Sequence, residues 1–113
     1  MEKIVAQGLL YDFYGELLTK HQRKIYEDAV YNDLSLSEIA QEQGISRQGV
    51  HDLIKRCDNL LEGYESKLHL VERFNRIQDK VERINSLAAD ECVDASLLRI
   101  EIKKLTDEIL AAL

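Results

Sequence analysis

The sequence predicts an all-α fold in which a helix-turn-helix motif is followed by a C-terminal helical hairpin. The chain of 113 residues has no proline and only five glycines, so the residues that break or weaken helices are scarce. Apolar residues make up 45% of it and recur at three- and four-residue spacing, the period of an amphipathic helix. Residues 35–61 divide into two helical patterns at a glycine, as in a helix-turn-helix. We expect a winged-helix-like arrangement without a wing.

The first predicted helix covers residues 2–18 and carries a wide, partly aromatic stripe. The members of this stripe are Ile4, Val5, Leu9, Leu10, Phe13, Tyr14, Leu17 and Leu18. A stripe of this width predicts a largely buried helix that packs in the core. In the alternative interpretation, part of the stripe meets another subunit.

The second predicted helix runs from Lys20 to Tyr31. Thr19 and Gln22 have capping-box spacing, in which each side chain bonds the backbone N–H of the other residue. Tyr26 is expected at the edge of the core. The residues expected to face the core are Ile25, Ala29 and Val30.

Three cations, Lys20, Arg23 and Lys24, gather at the start of this second helix. Their charge opposes the positive end of the helix dipole. The pattern favours a solvated cluster, and the alternative is a contact with a phosphate or an acidic partner.

The two helices of the central motif have clear start and stop signals. Ser35 and Glu38 form a second capping-box pattern, which begins a helix over Leu36–Gln43. Gly44 supplies the left-handed residue that ends it, and Ser46 caps the next helix. The buried face predicted for this next helix consists of Val50, Leu53, Ile54, Cys57, Leu60 and Leu61.

The outward side of the same helix is the candidate binding site. Its residues are Ser46, Arg47, Gln48, His51, Asp52, Lys55 and Arg56. In a nucleic-acid complex Ser46 and the helix N-terminus would meet a phosphate, while Gln48 could pair with adenine and Asp52 could accept from cytosine N4. In the alternative, the same surface binds a protein or a ribonucleoprotein.

The C-terminal part predicts two seamed helices. The seam of the first, over residues 66–88, consists of Leu70, Phe74, Ile77, Val81, Ile84 and Ala88. Asp94 caps the second, over Ala95–Leu113, whose seam consists of Leu98, Ile102, Leu105, Ile109 and Ala112. Two such helices joined by a short loop form an antiparallel hairpin. Gly63 and Ser66 suggest a boundary that divides the chain into domains 1–64 and 65–113.

This much apolar surface exceeds what one small domain can cover. We therefore expect a homodimer or a higher oligomer, with the C-terminal helices at or near the interface.

Composition limits the function and the compartment. The net charge is −6, and residues 35–62 carry three cations against five anions, a poor balance for tight nonspecific DNA binding. No apolar run reaches the roughly 20 residues that span a bilayer, so no membrane insertion is expected. The two cysteines match no metal spacing, and reduced thiols in the cytoplasm are the simplest interpretation.

No catalytic constellation stands out in the sequence. The three histidines, His21, His51 and His69, lie on separate predicted helices with no carboxylate or cysteine at metal-ligand spacing. Phosphate-binding glycine loops and nucleophile elbows are also missing from the pattern. We expect no enzymatic activity, no cofactor and no metal site.

Residues 18–61 resemble region 4 of bacterial sigma factors, the helix-turn-helix that reads the promoter −35 element. The residues that carry this resemblance are Leu18, Thr19, Gln22, Arg23, Leu34, Ser35, Leu36, Glu38, Ile39, Ala40, Gly44, Ile45, Ser46, Arg47, Val50 and Arg56. Over its whole length, and especially in the run YDFYGELLTKHQRKIYEDAVYNDLSLSEIA, the chain resembles the small YlxM family of bacterial helix-turn-helix proteins. Genes of that family usually lie beside the gene of the signal recognition particle GTPase. The resemblance implies a regulatory or accessory role in the signal recognition particle pathway.

Overall fold

The structure, a computed structural model, describes residues 2–113, which form six α-helices, one 3₁₀ turn and no β-strand. The chain divides into two compact units, of which the first ends at His69 and the second is Leu70–Leu113. The helices are α1 (Lys3–Tyr14), α2 (Lys20–Val30), α3 (Leu36–Gln43), α4 (Arg47–Leu68), α5 (Leu70–Ala89) and α6 (Ala95–Ala112), with the 3₁₀ turn at Gly15–Leu17. The predicted all-α helix-turn-helix fold is confirmed.

The starts of α2, α3, α4 and α6 lie where the sequence predicts them, whereas α5 begins at Leu70 rather than at residue 66. Thr19 and Ser35 each form a complete capping box with the residue three positions later. Gly44 ends α3 in the left-handed conformation, with φ of 66°. Asp94 Oδ2 accepts from the backbone N–H groups of the first turn of α6. Each of these bonds joins residues within one turn, so sequence spacing is enough to predict them.

A compact apolar cluster lies where α2, α3 and α4 meet. Ile25, Ile39 and Val50 are fully buried at its centre. Leu53 and Ile54, which the helical period also places on the buried face, are only partly buried and pack against this cluster. The cluster holds the two helices of the motif at a fixed angle.

Tyrosine–carboxylate hydrogen bonds tie α1, α2 and α4 together. Tyr26 is fully buried, and its Oη donates to Asp58 Oδ1 over 2.5 Å. Gln7 Nε2 donates to the same carboxylate oxygen over 3.0 Å. Burial, and then the contact with Asp58, raises the pKa of Tyr26 well above its ordinary value. The expectation that Tyr26 lies at the edge of the core is wrong, because three helices enclose its ring.

Two tyrosines of α1 also form hydrogen bonds to carboxylates of neighbouring helices. Tyr14 is buried and donates to Glu65 of α4 over 2.5 Å. Tyr11 donates to Glu27 of α2 and stacks on Tyr26, with ring centroids 5.7 Å apart. Tyr11 and Tyr14 therefore anchor α1 through their hydroxyl groups as well as their rings.

The predicted burial of α1 is only partly correct. Ile4, Val5 and Leu17 are each about half exposed, at 51%, 52% and 57%. The α-helix also ends at Tyr14, earlier than predicted, and tightens into the 3₁₀ turn. A Cβ at Gly15 would lie 2.8 Å from the Tyr11 ring, so the chain needs glycine where it bends beneath that ring.

Helix α4 continues beyond Gly63 to Leu68, 22 residues that span about 33 Å. One glycine weakens a helix but does not end it. The helix ends instead at His69, which has a left-handed φ of 56°. The break between the units therefore falls after His69, later than the boundary predicted between residues 64 and 65.

The second unit is a hairpin of α5 and α6. Leu87 and Leu105 are the buried side chains among its described residues, and Lys80 Nζ lies 2.9 Å from Glu108 Oε2. The seam predicted on α6 lies on its covered side, but Phe74 and Val81 of the α5 seam are 44% and 50% exposed. The buried Leu87 lies outside the predicted α5 seam.

The two cysteines have different environments. Cys57 is fully buried in the first unit, and burial raises the pKa of its thiol to about 11. Cys92 is exposed in the loop before α6. Among residues 2–113, no helix is long and apolar enough to cross a membrane.

Candidate binding surface on the second helix of the motif

The start of α4 is set by a cap that uses two small residues. Ser46 Oγ accepts from the backbone N–H of Gly49 over 2.9 Å. A Cβ at Gly49 would lie 3.1 Å from that oxygen, closer than a normal contact. Glycine therefore leaves room for the cap, at a position where a longer side chain could otherwise have served recognition.

All seven residues predicted from the sequence lie exposed on α4 or at its cap. We call Ser46, Arg47, Gln48, His51, Asp52, Lys55 and Arg56 the α4 outer surface. Val50 and Cys57, on the opposite side of the helix, are fully buried and hold it against the rest of the unit. The surface extends about 15 Å along the helix, since each residue adds about 1.5 Å.

A carboxylate occupies the middle of this surface. Asp52 Oδ1 accepts from Gln48 Nε2 over 2.9 Å and lies 3.5 Å from His51 Nδ1. The Gln48–Asp52 contact follows from i, i+4 spacing, a signal that the sequence contains. Arg47, Lys55 and Arg56 surround this group with positive charge on exposed side chains. The surface therefore presents both signs of charge and several hydrogen-bond donors.

The cations at the start of α2 line a separate, shallow cleft of about 230 Å³ together with Glu27. Lys24 Nζ lies 3.2 Å from Asp28 Oδ1, and Arg23 Nε donates to Tyr11 Oη over 3.5 Å. Carboxylates and a hydroxyl thus partly satisfy these cations. The cleft is a weaker anion site than the residue types alone suggest.

The chemistry available at these surfaces is recognition by charge and hydrogen bonding. Within residues 2–113, no group of three or more histidine, cysteine, aspartate or glutamate side chains could hold a metal ion. The histidines at positions 21, 51 and 69 are all exposed.

The fold and the exposed second helix of the motif define an all-α helix-turn-helix protein. The sequence family described as "Putative helix-turn-helix protein, YlxM / p13 like" matches residues 1–99. The chain belongs to this family, UPF0122.

Similar proteins come from several bacteria. A UPF0122 protein of Caldanaerobacter subterraneus is 49% identical over 85 residues, 75% of this chain and 68% of that protein. A UPF0122 protein of Thermoanaerobacter sp. strain X514 is 46% identical over 101 residues, 89% of this chain and 85% of that protein. A UPF0122 protein of Acetivibrio thermocellus is 41% identical over 109 residues, 96% of this chain and 92% of that protein. The similarity therefore covers both units.

Proposed function

We propose that this protein is a non-enzymatic regulatory protein whose α4 outer surface binds a protein or a ribonucleoprotein. The observation that supports this choice is the Asp52 carboxylate at the centre of the surface, held by Gln48 at 2.9 Å. A carboxylate in that place opposes phosphate contacts by the neighbouring cations, and the net charge of −6 repels a phosphate backbone from the chain as a whole. The net charge of −6 attracts a partner with exposed basic groups, because opposite charge speeds encounter, and Asp52 offers such a group an acceptor on the surface.

The pathway is proposed from the resemblance to the YlxM family, which implies an accessory role with the signal recognition particle. The particle contains both protein and RNA, so Arg47, Lys55 and Arg56 could meet RNA phosphates while Asp52 meets a basic protein group. The protein would act in the cytoplasm, where that particle functions.

A DNA-binding transcriptional regulator is the second candidate. The observation that favours it is the capped and exposed first turn of α4, which carries Arg47 and Gln48. In helix-turn-helix proteins the N-terminal end of this second helix enters the major groove. In that case the bond from Gln48 to Asp52 would break, so that both side chains could reach base edges.

Direct binding of purified components separates the two candidates. We would measure binding to the GTPase of the particle, to its RNA, to their complex and to duplex DNA, at several salt concentrations. The double variant Arg47→Ala, Lys55→Ala removes two cations from the α4 outer surface. The matched control is Lys103→Ala, Lys104→Ala, which removes two exposed cations from α6.

The proposal expects capture by the GTPase or the RNA–protein complex, lost in the α4 variant and kept in the control. If the protein reads duplex DNA, the α4 variant should flatten the slope of log affinity against log salt by about two units, since each phosphate contact contributes about 0.9. Tight DNA binding with that slope change and no capture by the particle would contradict the proposal.

A further inference from the structure

Charge is segregated around the C-terminal half of α4, residues 56–68. The three carboxylates of this segment, Asp58, Glu62 and Glu65, lie on one flank of the helix, because three- and four-residue spacing keeps side chains on one side. Side chains of α1 and α2 donate hydrogen bonds to Asp58 and Glu65. Two of the three acidic groups are therefore engaged inside the first unit.

The opposite flank of this segment carries cations and, within residues 56–68, no carboxylate. Arg56, Leu60, Gly63 and Lys67 are three and four residues apart, so they lie on nearly one line along the helix. All four are exposed, Leu60 at 37%. We call these four residues the basic flank of α4. Arg56 belongs to the α4 outer surface as well, so the two surfaces are continuous.

Gly63 leaves a gap in the middle of the basic flank. A glycine inside a helix makes it less stable than an alanine does. The fold itself does not require one here: φ is not positive, and beyond the neighbouring backbone no atom would lie within 4 Å of a Cβ. Ser66 Oγ donates to the Gly63 carbonyl over 2.8 Å, so this hydroxyl is satisfied within the helix. What the glycine permits is close approach of another backbone.

We propose that the basic flank of α4 receives an acidic α-helix of a protein partner. The partner helix crosses α4 at Gly63, where its backbone comes close, and packs an apolar side chain on Leu60. Carboxylates on either side of the crossing meet Arg56 and Lys67. This proposal rests on the proposed function, because the acidic helix belongs to the partner that the α4 outer surface binds.

The length and chemistry of the basic flank favour a protein helix. The two cations are eleven positions apart, about 16 Å or three helical turns, so one partner helix reaches both. Leu60 stands between them, and an apolar side chain is better covered by a protein side chain than by a phosphate backbone. The flank therefore fits an acidic protein segment better than RNA.

Charge disfavours a second copy of the chain as the occupant. A two-fold contact places the same patch of both copies together. With the crossing at Gly63, Arg56 of each copy would face Lys67 of the other, and these like charges would repel. A partner with the opposite charge has no such conflict.

Binding of the full chain to the purified GTPase of the signal recognition particle, alone and with its RNA, tests the proposal. Gly63→Leu fills the gap and should raise the dissociation constant at least about tenfold. Gly63→Ala should raise it less, although it stabilises the helix. Ser66→Leu is the matched control, since Ser66 is exposed on α4 but points about 90° away from the centre of the basic flank. Its dissociation constant should not change. Circular dichroism checks that each variant keeps its helices.

A charge reversal tests the acidic character of the partner helix. Lys67 lies outside the α4 outer surface, so Lys67→Glu acts on the basic flank alone. It should weaken binding at least about tenfold, because the new carboxylate faces those of the partner. Lys104→Glu is the matched control, an equal change of charge at an exposed position of α6, and should leave the affinity unchanged.

Failure of this proposal and failure of the proposed function give different results. Capture that is lost in the double variant Arg47→Ala, Lys55→Ala but unchanged in Gly63→Leu and Lys67→Glu would overturn the basic flank alone. No capture of the wild type by the GTPase or by its RNA complex would overturn both. Equal weakening of binding to the isolated RNA by Lys67→Glu would assign the flank to RNA and overturn the proposal. A wild-type dimer that Gly63→Leu dissociates would assign it to a second copy, with the same consequence.

Discussion

The first unit buries nine apolar side chains among its described residues, whereas the second unit buries two. In the first, buried tyrosines add hydrogen bonds to carboxylates on neighbouring helices. In the second, a partly exposed ion pair between Lys80 and Glu108 links the two helices. The first unit therefore has a core of its own, whereas the second unit has only a small one.

This difference bears on how firmly each unit holds its helices. A well-packed core holds α4 in place, so the α4 outer surface is presented as a rigid, preorganised patch. The hairpin of the second unit has two buried side chains among its described residues, so its helices are less firmly packed. Spectroscopy can separate the units, because all five tyrosines precede His69. Tyrosine fluorescence therefore reports on the first unit.

The largest effect is expected in the core of the first unit. Ile39→Ala removes a fully buried side chain from the cluster between α2, α3 and α4 and should lower the free energy of unfolding by about 2–5 kcal/mol. Urea unfolding followed by tyrosine fluorescence measures it. The matched control is Ile100→Ala in the second unit, where Ile100 is 63% exposed. It should change the free energy of unfolding obtained from tyrosine fluorescence by less than about 0.5 kcal/mol. Similar losses in both variants would contradict the contrast between the units.

Much of the fold could be predicted from the sequence because its signals are local. The caps at Thr19, Ser35 and Ser46 and the left-handed Gly44 each depend on residues within one turn. The exposed side of α4 followed from helical period alone. Those signals give the helix starts at these caps and the exposed side of α4.

Tertiary packing could not be predicted in the same way. The burial of Tyr26 depends on α1 and α4, which place Gln7 and Asp58 beside its hydroxyl group. The exposure of Val81 and the burial of Leu87 depend on how α5 rotates toward α6, and the seam spacing leaves that rotation free. For the candidate site, the sequence placed the residues on one exposed surface, but residue types alone leave its partner open.

The second prediction concerns the buried hydrogen bond of Tyr26. Tyr26→Phe leaves the Asp58 carboxylate with Gln7 as its remaining donor among those described and should lower the free energy of unfolding by about 1–3 kcal/mol near pH 7. Tyr31→Phe is the control. Tyr31 is 49% exposed, so the loss of its hydroxyl group should lower the free energy of unfolding by less. Equal costs would show that burial does not decide the strength of these bonds.

The same variant has a predicted pH dependence. The pKa of Tyr26 is raised in the folded protein, so the unfolded chain loses this proton first as the pH rises above about 10. The stabilisation is complete below that pH and is lost as the pH rises toward the folded pKa. The unfolding free energies of wild type and Tyr26→Phe should therefore converge above about pH 10. Parallel curves would contradict the raised pKa.

A pair of glycines gives the third prediction. Gly44→Ala places a Cβ in a left-handed conformation and should destabilise the first unit by about 1–2 kcal/mol. Gly63→Ala lies inside α4 with no atom within 4 Å of the new Cβ and should stabilise it by about 0.5–1 kcal/mol. Tyrosine fluorescence in urea measures both. A loss of stability at Gly63 would mean that the glycine has another role in α4.

The smallest effect is expected at the ion pair that closes the hairpin. The hydrogen bond from Lys80 holds the pKa of Glu108 below its ordinary value. A carboxylate with a lowered folded pKa stabilises the fold above its unfolded pKa, and this contribution is lost as the pH falls through the folded pKa. Both side chains are partly exposed and screened by solvent, so unfolding measurements are too coarse to resolve the pair. Carboxyl-resolved NMR titration resolves it instead: Lys80→Gln should return the pKa of Glu108 toward its ordinary value. Lys104→Gln, which removes a more weakly coupled cation, should shift it less. A larger shift with Lys104→Gln would mean that Lys80 is not the main partner of Glu108 and that this ion pair does not link the two helices in solution.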